Sequence, residues 1–143
     1  MVREFEHSIE CPVSRDFAWR FWTDVANWTH DVSVESVTLD GPFAAGARGV
    51  TYPRGGSPVE WRLVEVQDRC AALIEIALPG ATARFHWRYE DAAGGAVRIT
   101  QRVTLEGARA ADYAEGMAML ESGIPQGMRK LAEVMARAAA EQA

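Results

Sequence analysis

Across residues 84–90 the rings of Phe85, Trp87 and Tyr89 alternate with Arg84, His86, Arg88 and Glu90, so an extended backbone sends every ring to one face and every polar group to the other. The alternation returns in the run from Val97 to Glu106, with Val97, Ile99, Gln101, Val103 and Leu105 on one face and Arg98, Thr100, Arg102, Thr104 and Glu106 on the other. Gly94-Gly95 lies between the two runs and predicts a hairpin turn. Such a hairpin has one face that water can meet and one that must be covered by another part of the chain.

The cover lies at the C-terminus. From about Ala111 onward, Tyr113, Met117, Leu120, Ile124, Met128, Leu131 and Met135 advance by threes and fours, the spacing of one apolar stripe on a long helix. Gly123 and Pro125 interrupt it, and a proline inside a helix removes a backbone bond, which predicts a bend. Leu131 and Met135 are expected to anchor the half after Pro125 to the sheet.

At the N-terminal end Phe5, His7 and Ile9 alternate with Glu4, Glu6, Ser8 and Glu10, a strand that Pro12 stops. Ser14 is placed to cap a helix over Arg15–Thr23 whose buried stripe reads Phe17, Ala18, Phe21 and Trp22, and Asp24 to cap a short turn holding Val25 and Trp28. Residues 32–40 are rich in valine but change phase between Val32 and Val34 and the later Val37 and Leu39, as a bulge would make them do. Beyond Asp40-Gly41-Pro42-Phe43 a short strand runs through Val50 and Tyr52, and two more follow at 59–66 and 72–78, closed by Pro79-Gly80. The predicted class is α+β, one domain over residues 1–143. A curved antiparallel sheet of about six to seven strands wraps a long C-terminal helix, with two short helices between strands one and two.

Several function classes are excluded by what the sequence lacks. A net charge of -5 with no basic run offers nothing to hold a phosphate backbone, so nucleic acid is not an expected partner. No segment approaches the roughly 20 apolar residues of a membrane helix, and the opening residues contain no signal-like apolar stretch, so a cytoplasmic location is expected. Cys11 and Cys70 are far apart and without metal-type spacing, which predicts two free thiols. His7, His30 and His86 are scattered, and there is no phosphate loop, dinucleotide fingerprint or nucleophile elbow, so neither metal nor cofactor is expected.

Taken in order, several stretches resemble the START-like superfamily, often labelled SRPBCC, of polyketide cyclases, aromatase/cyclases and pollen-allergen-like proteins. They are Cys11-Pro12-Val13, Ala18-Trp19 with Asp24 and Trp28 behind them, Asp40-Gly41-Pro42-Phe43 with Gly46, Gly94-Gly95-Ala96-Val97-Arg98, Thr100-Gln101-Arg102-Val103 and Gly123-Ile124-Pro125. The resemblance spans nearly the whole chain. It implies a helix-grip fold with an internal cavity between sheet and long helix, and it leaves the reaction open, because members include carriers, binders, cyclases and chaperone cofactors.

The expected occupant is a small apolar molecule, lipid-like, aromatic or polyketide-like. Trp22, Trp28, Tyr52, Trp61, Phe85, Trp87 and Tyr89 are the candidate aromatic walls, and Met117, Leu120 and Ile124 the helix side. His7 and Gln101 are the polar residues on otherwise apolar inward phases, and a buried amide without a partner costs about 1 to 3 kcal/mol, so each is expected to bond to protein, water or ligand. No catalytic residue is assigned. Three readings stand: a binding protein, a polyketide cyclase or dehydratase type of enzyme, and a protein-interaction module, each as a monomer or a homodimer.

Overall fold

A computed structural model describes residues 2–142. The chain runs β1 (Val2–Cys11), α1 (Arg15–Thr23), a 3-10 turn (Val25–His30), β2 (Val34–Asp40), β3 (Arg48–Pro53), β4 (Val59–Gln67), β5 (Ala71–Leu78), β6 (Ala81–Asp91), a second 3-10 turn (Ala93–Gly95), β7 (Val97–Glu106), a third (Ala110–Tyr113) and α2 (Ala114–Glu141). The seven strands form one antiparallel sheet in the order β1-β7-β6-β5-β4-β3-β2, so the first and last strands of the sequence lie side by side.

The alternation read from the sequence sets the two faces. Phe85 pairs with Val103, Trp87 with Gln101 and Tyr89 with Ile99, all inward, while Arg84, Arg88, Arg98 and Arg102 occupy the outer phase. That outer face is a lattice of ion pairs, including Arg98 to Glu10 at 2.9 Å, Arg62 to Glu75 at 3.0 Å and Arg84 to Glu75 at 3.1 Å. Exposed pairs of this kind contribute about 0 to 1 kcal/mol each, so they keep the face wet and the register unambiguous more than they hold the fold together. The turn between β6 and β7 places Gly94 and Gly95 at φ 71° and 78°, which side chains disfavour.

Local signals also place the helices. Ser14 Oγ accepts from the Phe17 amide at 3.0 Å, and Asp24 Oδ1 from the Ala26 amide at 3.2 Å, so both expected caps are present. The phase change in β2 is a register shift between Val34 and Ser36; Val32 lies outside the strand and is exposed. On α1 the buried residues are Ala18, Trp19 and Trp22, with Phe17 and Phe21 at the flank, a correction to the expected stripe. Pro125 lies inside one continuous helix, α2. The carbonyl its missing N–H would have met belongs to Glu121, an exposed position that water can serve.

α2 lies chiefly along β1 and runs the same way. Tyr113 donates its hydroxyl to the Pro79 carbonyl at 2.6 Å at the start of the helix, and the Cys11 thiol meets the Ala132 carbonyl at 3.3 Å further along. Met128, Val134 and Met135 are the buried anchors of the C-terminal half, while Leu131 is half-buried. Cys11 is buried and Cys70 exposed, both as free thiols.

Candidate functional site

Two apolar clusters cover the two ends of the concave face. At one end α1 and the following turn press Trp19 and Trp22 onto Tyr89, Ile99, Leu63 and Trp61; at the other Met117 packs with Ala81, Ala83, Val103 and Leu105. Ile76, Phe85 and Ile124 touch both clusters and are fully covered by neither. Along β6 the inward residues Ala81 and Ala83 are buried, Phe85 and Trp87 half-buried, and Tyr89 buried again. Between Ala81 and Tyr89 the least covered inward side chains are therefore the middle two, on an interior strand of the sheet. Leu120 and Ile124, half-buried on α2, belong to the helix side of the same region.

The aromatic residues at the first end form a continuous stack. Trp87 and Trp22 have ring centroids 4.9 Å apart, Trp22 and Trp28 5.9 Å, and Trp28 and Trp61 5.1 Å. Two of the indole N–H groups are tied down, Trp28 to the Trp22 carbonyl at 2.7 Å and Trp61 to Thr51 Oγ1 at 3.0 Å. Trp22, Trp61 and Tyr89 are buried within this stack, which leaves Trp28, Phe85 and Trp87, of the aromatic residues expected to line the site, with open surface on the concave side. Trp19, which the expected stripe passed over, meets Tyr89 edge-on at 5.3 Å and Trp22 at 5.8 Å.

Tyr52 is corrected. It pairs with Ser36 on the outward phase of β3 and is 38% exposed, because the inward phase of that strand carries the small residues Gly49 and Thr51 beneath the Trp61 indole. A Cβ on Gly49 would lie 2.2 Å from that ring, so the position has no room for a side chain.

The two polar candidates come together. His7 and Gln101 are direct cross-strand partners, and Trp87 flanks Gln101 on its other side. Gln101 is 6% exposed while His7 is half-buried, and among the described residues neither side chain makes a hydrogen bond to protein. Tyr89 is also inward, its hydroxyl buried without a partner, and burial pushes its phenol pKa well above the ordinary value. It stays protonated throughout the physiological range. His86 occupies the opposite face, where burial first and Arg88 next lower its pKa. Among the described residues no group of three or more His, Cys, Asp or Glu side chains is placed to hold a metal ion, and no helix is long and apolar enough to cross a membrane.

Residues 2–136 match the family described as polyketide cyclase / dehydrase and lipid transport. A search of curated protein sequences found no match. Among solved structures the chain is similar to protein NE0264 from Nitrosomonas europaea, with a TM-score of 0.76 at 16% identity over 96% of each chain. It is similar to Ara h 8.0201, with a TM-score of 0.73 at 16% identity, covering 94% of this chain and 98% of that one. Norcoclaurine synthase from Thalictrum flavum, solved with dopamine and hydroxybenzaldehyde, gives 0.72 at 11% identity, covering 100% of this chain and 89% of the other. At these identities the structural likeness concerns the fold.

Proposed function

Since the chain belongs to the polyketide cyclase / dehydrase and lipid transport family, we propose that it binds a small apolar molecule between the middle of the concave sheet and α2. The supporting observation is the half-burial of Phe85 and Trp87, large rings facing inward on a central strand where a filled core would cover them. Trp28, Leu120 and Ile124 extend the apolar lining, Met117 closes one end, and His7 with Gln101 supplies the polar anchor for a carbonyl or hydroxyl. Titration with an environment-sensitive apolar dye tests this. Saturable one-to-one binding that shifts or quenches tryptophan emission is expected, and a flat titration with every apolar probe contradicts it.

The pairing of His7 with Gln101 favours a second reading, in which the site also turns over a flexible poly-carbonyl substrate. The apolar walls would fold the chain and the imidazole would move a proton. A His7→Phe variant should then keep binding and lose turnover. Loss of binding and rate together would reduce His7 to a structural residue.

A further inference from the structure

The pairing of β4 with β5 ends at Arg62 and Glu75. Past that point Val59–Trp61 stays paired with β3, and Ile76–Leu78 with β6, but the two segments no longer pair with each other. The sheet splits there, and a cleft of about 490 Å³ opens between them. Val59, Ile76 and Leu78 line it from the inward phase, and Tyr52, Glu60 and Ala77 from the outward phase, so it reaches through the thickness of the sheet.

The cleft's charge is one-sided. Its lining side chains are apolar apart from the Tyr52 phenol and the Glu60 carboxylate, and no lysine or arginine lines it. Among the described residues Glu60 makes no ion pair; of the cations nearest it on the outward phase, Arg62 is held by Glu75 at 3.0 Å, and Arg48, across from Arg62 on β3, does not pair with it. A carboxylate beside an exposed aromatic ring at the mouth of an apolar cleft is complementary to a protonated amine carried on an apolar body. The ammonium gains an ion pair and a cation–π contact while the hydrocarbon leaves water. We propose that this split between β4 and β5 is a binding site for small amphipathic amines, with the ammonium at Glu60 and Tyr52 and the apolar body against Ile76 and Leu78. The amine end of this site lies on the outer phase, at Glu60 and Tyr52, while its inner wall, Ile76, also borders the concave region between sheet and α2.

Calorimetric titration of the full chain with octylammonium, octanol and octanoate tests the assignment. Octylammonium should bind saturably, about fivefold to tenfold tighter than octanol, with octanoate weakest. Glu60→Gln, an exposed change that leaves the fold alone, should lower octylammonium to the level of octanol and leave octanol unchanged. Ala77→Trp, which fills the cleft, should abolish octylammonium binding while dye binding on the concave side persists. Equal affinity for the three probes, or an unaltered octylammonium affinity in Glu60→Gln, overturns the proposal. So does octylammonium binding that survives Ala77→Trp, which would place the amine on the concave side and leave the reading given above intact.

Discussion

Replacing Trp19 by alanine is expected to destabilise the protein by about 3 to 5 kcal/mol, the range for removing a buried aromatic ring. The residue is 5% exposed, on the inner face of α1, and it touches three other rings. It meets Tyr89 at 5.3 Å with planes at 90°, Phe43 at 6.3 Å with planes at 85°, and Trp22 at 5.8 Å. Edge-to-face contacts of this kind add about 0.5 to 1.5 kcal/mol beyond the buried area. α1 has nine residues, too short to hold itself, so the ring also fixes the helix to the sheet. Urea denaturation should show a lowered midpoint at an unchanged slope, and a loss below about 1 kcal/mol would mean that α1 is seated otherwise than described.

Gly49→Ala carries the second large effect, and its cause is overpacking. The added methyl carbon would fall 2.2 Å from Cζ2 and 2.5 Å from Cε2 of Trp61, a ring that is 5% exposed and held by its hydrogen bond to Thr51. A rigid indole cannot fold away as a flexible chain end can, so the strand or the ring must shift, at a cost of about 1 to 3 kcal/mol or more. Movement of the ring would also disturb its stack on Trp28 at 5.1 Å, so near-ultraviolet circular dichroism should change together with stability. An alanine variant with the wild-type melting curve and spectrum would show that Trp61 does not lie across β3.

What could be read from the residues depended on how much of the pattern lay within one element. In β6 and β7 the alternation is long and uninterrupted, so the faces, the inward Gln101 and the outward His86 all follow from it. The inward phase of β1, and with it His7, follows in the same way, as does the bulge in β2. β3 is different: its inward positions are Gly49 and Thr51, kept small by a ring donated from β4, and the larger Val50 and Tyr52 point outward. Alternation weighed by size therefore picks the wrong face for Tyr52. α1 fails for another reason. With Phe17, Trp19, Phe21 and Trp22 in nine residues, rings surround the axis, and only the docked sheet decides that Trp19 is inside. The split between β4 and β5 depends on where a pairing stops, which no single strand encodes.

The same limit applies to the concave site. The inward rings of β6 were legible, but which of them are covered depends on α1 closing over Tyr89 and on α2, which approaches β1 most closely and lays Met117 on Ala81 and Ala83. Phe85 and Trp87 are left half-buried by that placement of helices, and the whole functional reading rests on them.

The five indole N–H signals of the ¹⁵N-labelled protein offer the most direct test, because they report separately on Trp19, Trp22, Trp28, Trp61 and Trp87. Saturation with an apolar ligand should move the Trp87 signal most and the Trp28 signal next, since these two are half-buried on the concave side. The signals of Trp19, buried in the stack, and Trp61, tied to Thr51, should stay close to their free positions. A bound ligand that leaves the Trp87 indole where it was would place binding away from the middle of the concave sheet and contradict the account.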